Sequence, residues 1–96
     1  MTKCAVIYTR TSSHDVSSQY LEAQCNSCRA YADANGYNIV NVFSNTPFEN
    51  VIEASKAKKF QTVIVSSIDR VTRNERIFKI YSEELLANSV KIESAE

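Results

Sequence analysis

Ninety-six residues allow one domain around one core, because a chain this short cannot divide its apolar residues between two cores and still fold. A hydrophobic content of 44%, with a single glycine and a single proline, supplies a packed interior and leaves little for linkers or disorder. Eleven basic residues against eleven acidic ones exclude a broad positive field, so any contact with nucleic acid has to be local.

The first apolar run, Cys4 to Tyr8, is nearly continuous, as expected of a strand covered on both faces in a parallel sheet. Thr9 to Ser18 is polar and reads as a loop. Ser17 or Ser18 can then cap a helix that carries Leu21, Cys25, Cys28 and Ala32 on one face and stops at Asn35-Gly36. Ile39, Val40, Val42 and Phe43 predict a second strand. Thr46, Pro47 and Glu49 combine an N-cap, a proline at the first helical position and a capping box, opening a helix whose inward face is Phe48, Val51, Ile52 and Ser55. Lys56, Lys58 and Lys59 near its end read as a solvated face that complements the helix dipole.

Val63 to Val65 has the β-branched character of a central strand. Thr72 and Glu75 repeat the capping-box spacing before a helix with Ile77, Ile80, Tyr81 and Leu85 as its buried stripe. Asn88 ends that helix, and Val90 to Ile92 add a last short strand. Strand and helix therefore alternate along the whole chain, which predicts an α/β fold: a three-layer, doubly wound, mainly parallel sheet with right-handed crossovers and expected strand order 2-1-3-4. In that order the first and third strands are neighbours. The loops that follow them, Arg10 to Val16 and Ser66 to Arg73, open a crevice at their carboxyl ends.

No apolar run is long enough to cross a bilayer and the N-terminus has no signal-peptide design, so a cytoplasmic protein without membrane partners is expected. Cys4, Cys25 and Cys28 cannot all pair internally and suit a reducing compartment as small apolar packing residues. With His14 as the one further soft ligand, no metal set is expected. The single glycine excludes a phosphate-binding P-loop and a dinucleotide fingerprint, so no cofactor is expected. A metal-dependent nuclease would need clustered carboxylates, and the crevice offers Asp69 and Asp15.

The two loops do bring Arg10, Arg70 and Arg73 together with several hydroxyls. Guanidinium groups present a planar fork to phosphate oxygens and hold their charge at any working pH, so the inference is metal-free phosphate chemistry with a hydroxyl nucleophile. Taken singly, these residues have simpler explanations. Asp69 with Arg70 and Arg73 could form an ion-paired helix entrance, Thr72 and Glu75 a cap, Gln24 a helix-surface amide and His14 an exposed loop imidazole. The convergence of three arginines and a serine on one switch point is what those explanations leave over.

Three segments carry a family resemblance. Tyr8-Thr9-Arg10-Thr11-Ser12-Ser13 resembles the Y-x-R-x-S-[ST] opening of serine recombinases, and Tyr20-Leu21-Glu22-Ala23-Gln24 resembles their L-x-x-Q or I-E-A-Q helix start. Ile68-Asp69-Arg70-Val71-Thr72-Arg73 resembles their L-D-R-L-x-R. The matches come in the family's order and span nearly the whole chain. The resemblance implies a resolvase-like catalytic domain acting on DNA. Ser12 would be the nucleophile of a 5′-phosphoserine link, Arg10, Arg70 and Arg73 would surround the phosphate, and Asp69 and Gln24 would orient them. It implies strand exchange without ATP or metal, and either a homo-oligomer or pairing with a longer recombinase.

The sequence departs from the family in one place that matters to the site. From Ala30 to Asp69 there is no arginine, where the family has another one between its second strand and second helix; the matching stretch is Ser44 to Phe48. Residues 1–96 are expected to form a single catalytic-core domain that stops before the family's dimerisation helix and DNA-binding domain, whether as a fragment or as a shortened relative. A second reading is therefore a non-catalytic module that holds phosphate or pairs with a longer recombinase. A third, a receiver-like signalling domain, would need an acidic cluster where this one is basic.

Overall fold

The computed structural model describes residues 3–10 and 18–95, with side chains from residue 21 onward in the second segment. Lys3–Thr9 is strand β1, Tyr37–Ser44 is β2, Thr62–Val65 is β3 and Lys91–Ser94 is β4. They form one all-parallel sheet in the order β2-β1-β3-β4. The β-branched and aromatic runs that predicted β1 and β3 are there because both faces of those strands are covered: Ala5, Val6, Ile7, Tyr8 and all of β3 are buried.

Three helices cover the sheet in two layers. Helix α1, Ser18–Ala34, lies on one face, where Cys28 and Ala32 pack with Ala5, Ile7, Tyr37 and Ile64. Helices α2, Glu49–Ser55, and α3, Glu75–Ala87, cover the other, where Phe48, Val51, Ile52 and Leu85 meet Val6, Tyr8, Val63 and Val65. Period-two alternation in β1 thus feeds both layers. Gly36 ends α1 at φ +74°, a left-handed position that glycine reaches without a Cβ penalty. Among the described residues no helix is long and apolar enough to cross a membrane.

The architecture is the one the alternation predicts, with four local corrections. Val40 does not join the buried side of β2: the register steps from Ala5↔Ile39 to Val6↔Asn41, which bulges Val40 outward at 46% exposure on an edge strand. The capping box at α2 does not form. The chain enters through a tight turn from the Pro47 carbonyl to the Asn50 N–H at 3.0 Å, and Phe48 occupies the cap. The Thr46 hydroxyl is buried with no hydrogen-bond partner among the described residues, while the Glu49 carboxylate accepts from the Tyr81 hydroxyl at 2.6 Å.

At α3 the cap is Asn74, not Thr72. The Asn74 side chain accepts from the N–H groups of Arg76 and Ile77 at 3.0 and 3.1 Å, and Thr72 supports the turn by accepting from the Asn74 N–H. The inward stripe is Phe78, Tyr81 and Leu85, and Ile77 and Ile80 stand outward at 38% and 47% exposure. Asn88 ends the helix as expected and its amide donates to the Ser55 hydroxyl of α2 at 3.0 Å. The expected cap at Ser17 lies outside the described residues.

Beyond α1 the sheet face is closed by a polar hub. Glu93 of β4 accepts from the hydroxyls of Tyr31 and Tyr37, both at 2.6 Å, and pairs with Lys91 at 2.8 Å. Burial pushes the Glu93 carboxyl up, but the Lys91 ammonium and the two tyrosine hydroxyls outweigh it and bring the pKa down to about 2. A folded-state pKa below the ordinary carboxylate value contributes stability that is complete above about 4.5 and disappears as the pH falls through about 2. Thermal unfolding between those two limits is expected to show a falling midpoint that Glu93→Gln flattens; an unchanged slope in the variant would remove Glu93 from the account.

Candidate active site

The crevice forms where β1 and β3 end side by side. Tyr8 pairs with Val65 across the sheet, and from there β1 runs into Arg10 while β3 runs into a single 3-10 turn, Ile68–Arg70. Arg10, Ser67, Asp69, Arg70, Val71, Thr72 and Arg73 line one cavity of roughly 360 Å³. Four of the six residues singled out in the sequence therefore face one hollow at the carboxyl ends of the two strands. Ser12 lies outside the described residues, as do Ser13, His14 and Asp15.

Gln24, the sixth, is 7% exposed and not a helix-surface amide. Its Oε1 accepts from the Arg10 N–H and its Nε2 donates to the Arg10 carbonyl, both at 3.0 Å, so one side-chain amide meets the backbone of Arg10 as a neighbouring strand would. Helix α1 thereby fixes where β1 releases the chain. Arg70 contributes from the other loop: its Nη1 donates to the same Arg10 carbonyl at 3.4 Å, and its Nε is buried with no hydrogen-bond partner among the described residues. A buried guanidinium N–H without an acceptor is costly, and an anion in the crevice would satisfy it.

Asp69 makes no ion pair among the described residues, so an ion-paired helix entrance does not explain it. Arg73 is exposed at the cavity rim. Beneath Arg10 sits Tyr8, whose ring packs edge-on against Phe48 with centroids 5.0 Å apart and whose hydroxyl donates to the Thr46 carbonyl at 2.7 Å. Burial raises the Tyr8 pKa, and the Arg10 guanidinium that hydrogen-bonds its oxygen opposes the rise. The hydroxyl thus stays protonated.

The stretch without an arginine borders the same place. The Asn45 N–H donates to the Thr9 carbonyl at 2.7 Å, and the Thr9 hydroxyl donates to Ser44 Oγ at 3.0 Å, so Ser44 to Thr46 seals the end of β1 with neutral contacts. The charge that follows is Glu49, held below the usual carboxylate range by the Tyr81 hydroxyl and its own backbone N–H. Tyr81 is correspondingly pushed up to about 12, first by that hydrogen bond and then by burial. Sequence reasoning assigned Glu49 to a cap and Tyr81 to the core, and missed their pairing beside the crevice. The one signal for it was that a capping-box glutamate and an aromatic on the next helix share a sheet face.

A family model for the resolvase N-terminal domain matches residues 5–96. The chain belongs to the resolvase family. Among solved structures, this resolvase domain is similar to the C-terminal catalytic domain of ISC1926 TnpA, an IS607-like serine recombinase. The identity is 28% and the TM-score 0.85, covering 97% of this chain and 70% of that one. The N-terminal catalytic domain of TP901-1 integrase follows at 23% identity and TM-score 0.86, covering 97% and 78% of the respective chains. A resolvase family site-specific recombinase from Streptococcus pneumoniae gives 23%, 0.88, 98% and 72%. These last two share the fold. No curated protein matches the chain.

The resolvase domain is thus a catalytic domain of its family by sequence model and by fold. Its local geometry makes a prediction at Gln24. Gln24→Ala removes both side-chain hydrogen bonds to the Arg10 backbone, leaving its carbonyl to Arg70 alone, and is expected to lower the unfolding free energy by about 1–3 kcal/mol in urea titration. Gln24→Glu, which sets a carboxylate against the Arg10 carbonyl, is expected to cost no less. Wild-type stability in both variants would show that the pair does not hold the end of β1.

Proposed function

We propose that this chain is the DNA-cleaving core of a serine recombinase, with Ser12 as the nucleophile. In the reaction, Ser12 Oγ bonds to the phosphorus of the scissile phosphate and the bond to the 3′ oxygen breaks. The serine proton ends, in net terms, on the departing 3′-hydroxyl, and the DNA remains joined through a 5′-phosphoserine. The phosphodiester energy is kept, so rejoining needs no ATP, metal or other cofactor. Arg10, Arg70 and Arg73 would take the non-bridging oxygens and the charge that builds in the transition state. Asp69 and Gln24 would orient the guanidinium groups, Gln24 through the backbone of Arg10.

The observation that carries this reading is the convergence of Arg10 with Asp69, Arg70 and Arg73 on one cavity, with a buried Arg70 N–H that has no acceptor among the described residues. The likeness to the catalytic domains of a serine recombinase and an integrase supports DNA as the substrate. We read residues 1–96 as one catalytic-core unit, working in the cytoplasm within an oligomer or beside a longer recombinase. The neutral Ser44 to Thr46 segment favours the second reading, a module that grips phosphate without cutting. One fewer pre-organised positive charge slows phosphoryl transfer by orders of magnitude.

A nicked suicide duplex, from which the cleaved strand diffuses away, tests the first reading. A covalent protein–DNA adduct that forms with wild type and vanishes in Ser12→Ala is expected. An adduct that survives Ser12→Ala sinks the assignment of the nucleophile. No adduct, together with binding whose log affinity falls with log salt at a slope of about −3 or shallower, favours the phosphate-gripping module, because a grip on one to three phosphates releases few counterions.

A further inference from the structure

Helix α3 packs on α2 and β4 through Phe78, Tyr81 and Leu85, and its opposite side faces solvent. That side carries Arg76, Ile77, Lys79, Ile80, Glu83 and Glu84, all exposed. None of its four charged groups lies within ion-pair distance of an opposite charge among the described residues. Their order is also unhelpful to the helix itself. Basic residues precede acidic ones, so Lys79 and Glu83 stand at i,i+4 in the less stabilising direction, against the macrodipole.

The signs are antisymmetric about Ile80. Arg76 lies four residues before it and Glu84 four after, one turn to either side on nearly the same line of the helix. A two-fold axis beside Ile80 and perpendicular to the helix brings these two opposite charges together across the pair. In an antiparallel pair Ile80 meets Ile80, and Arg76 of each copy meets Glu84 of the other with Glu83 within reach. That is the self-complementarity an isologous contact requires. We propose that the outer face of α3 is a docking surface for a second copy of this chain, paired antiparallel about Ile80.

The pair is small. Two helices of 13 residues bury less than the roughly 1,200 Å² from which stable complexes start, so the association is weak and is weakened further by salt. The surface is separate from the arginine crevice, and the inference stands whether or not Ser12 attacks DNA.

Sedimentation velocity on the whole chain, from about 10 µM to about 1 mM at low salt, is expected to show a monomer–dimer equilibrium. Ile80→Lys is expected to abolish the dimer. Arg76→Glu and Glu84→Arg are each expected to weaken it about tenfold, and their combination to return it to within about threefold of wild type. All these positions are exposed, and circular dichroism checks that each variant keeps its helices. A monomer throughout the series, a dimer indifferent to Ile80→Lys, or a double variant as weak as the single ones would overturn the proposal.

Discussion

The parallel pairing of β1 with β3 is the constraint from which the rest follows. Val63, Ile64 and Val65 lie beside Val6, Ile7 and Tyr8, and because both strands run the same way their following loops emerge at one edge. A right-handed crossover then sends the chain to one face after β1, into α1, and to the other after β3, into α3. The crevice lies where Arg10 meets the turn after β3. Had β1 paired with β4 instead, Arg10 would be separated from Arg70 by the width of a strand, and no single anion could touch both.

That geometry is held by polar contacts of unusual economy. One buried amide, Gln24, satisfies both backbone groups of Arg10, and the Arg70 guanidinium adds a bond to the same carbonyl from the opposite loop. The Tyr8 hydroxyl ties β1 to the entry of α2 through the Thr46 carbonyl. The Arg10 backbone is therefore fixed by two segments distant in sequence, α1 and the turn after β3. The cost of burying these groups is offset because almost all are paired; among the described residues the exceptions are the Thr46 hydroxyl and the Nε of Arg70.

Much of this was legible in the residues. The β-branched runs at 4–8 and 63–65 could be satisfied only as doubly covered parallel strands, and the alternation of strand and helix left few topologies. The arginines and Asp69 could be assigned to one crevice because the loops that carry them follow adjacent strands. What was not legible depended on tertiary choices among equivalent local signals. Thr72 and Asn74 both cap helices well, and apolar spacing alone did not decide whether Ile77 and Ile80 or Phe78 would face inward. Glu49 satisfied a capping-box pattern on paper, yet the Tyr81 hydroxyl offered its carboxylate a better partner. The burial of Gln24 could not be read from helical periodicity, since a polar residue on the apolar face of α1 looks like an interruption until its two partners are known.

The central claim is that β1 and β3 present their arginines to one anion. Arginine side-chain Nε–H resonances followed by NMR while a short phosphodiester is titrated in would test it most directly. The account predicts that the signals of Arg10, Arg70 and Arg73 move along a single saturation curve with a common midpoint. Separate midpoints, or movement of one arginine while the others stay still, would contradict it.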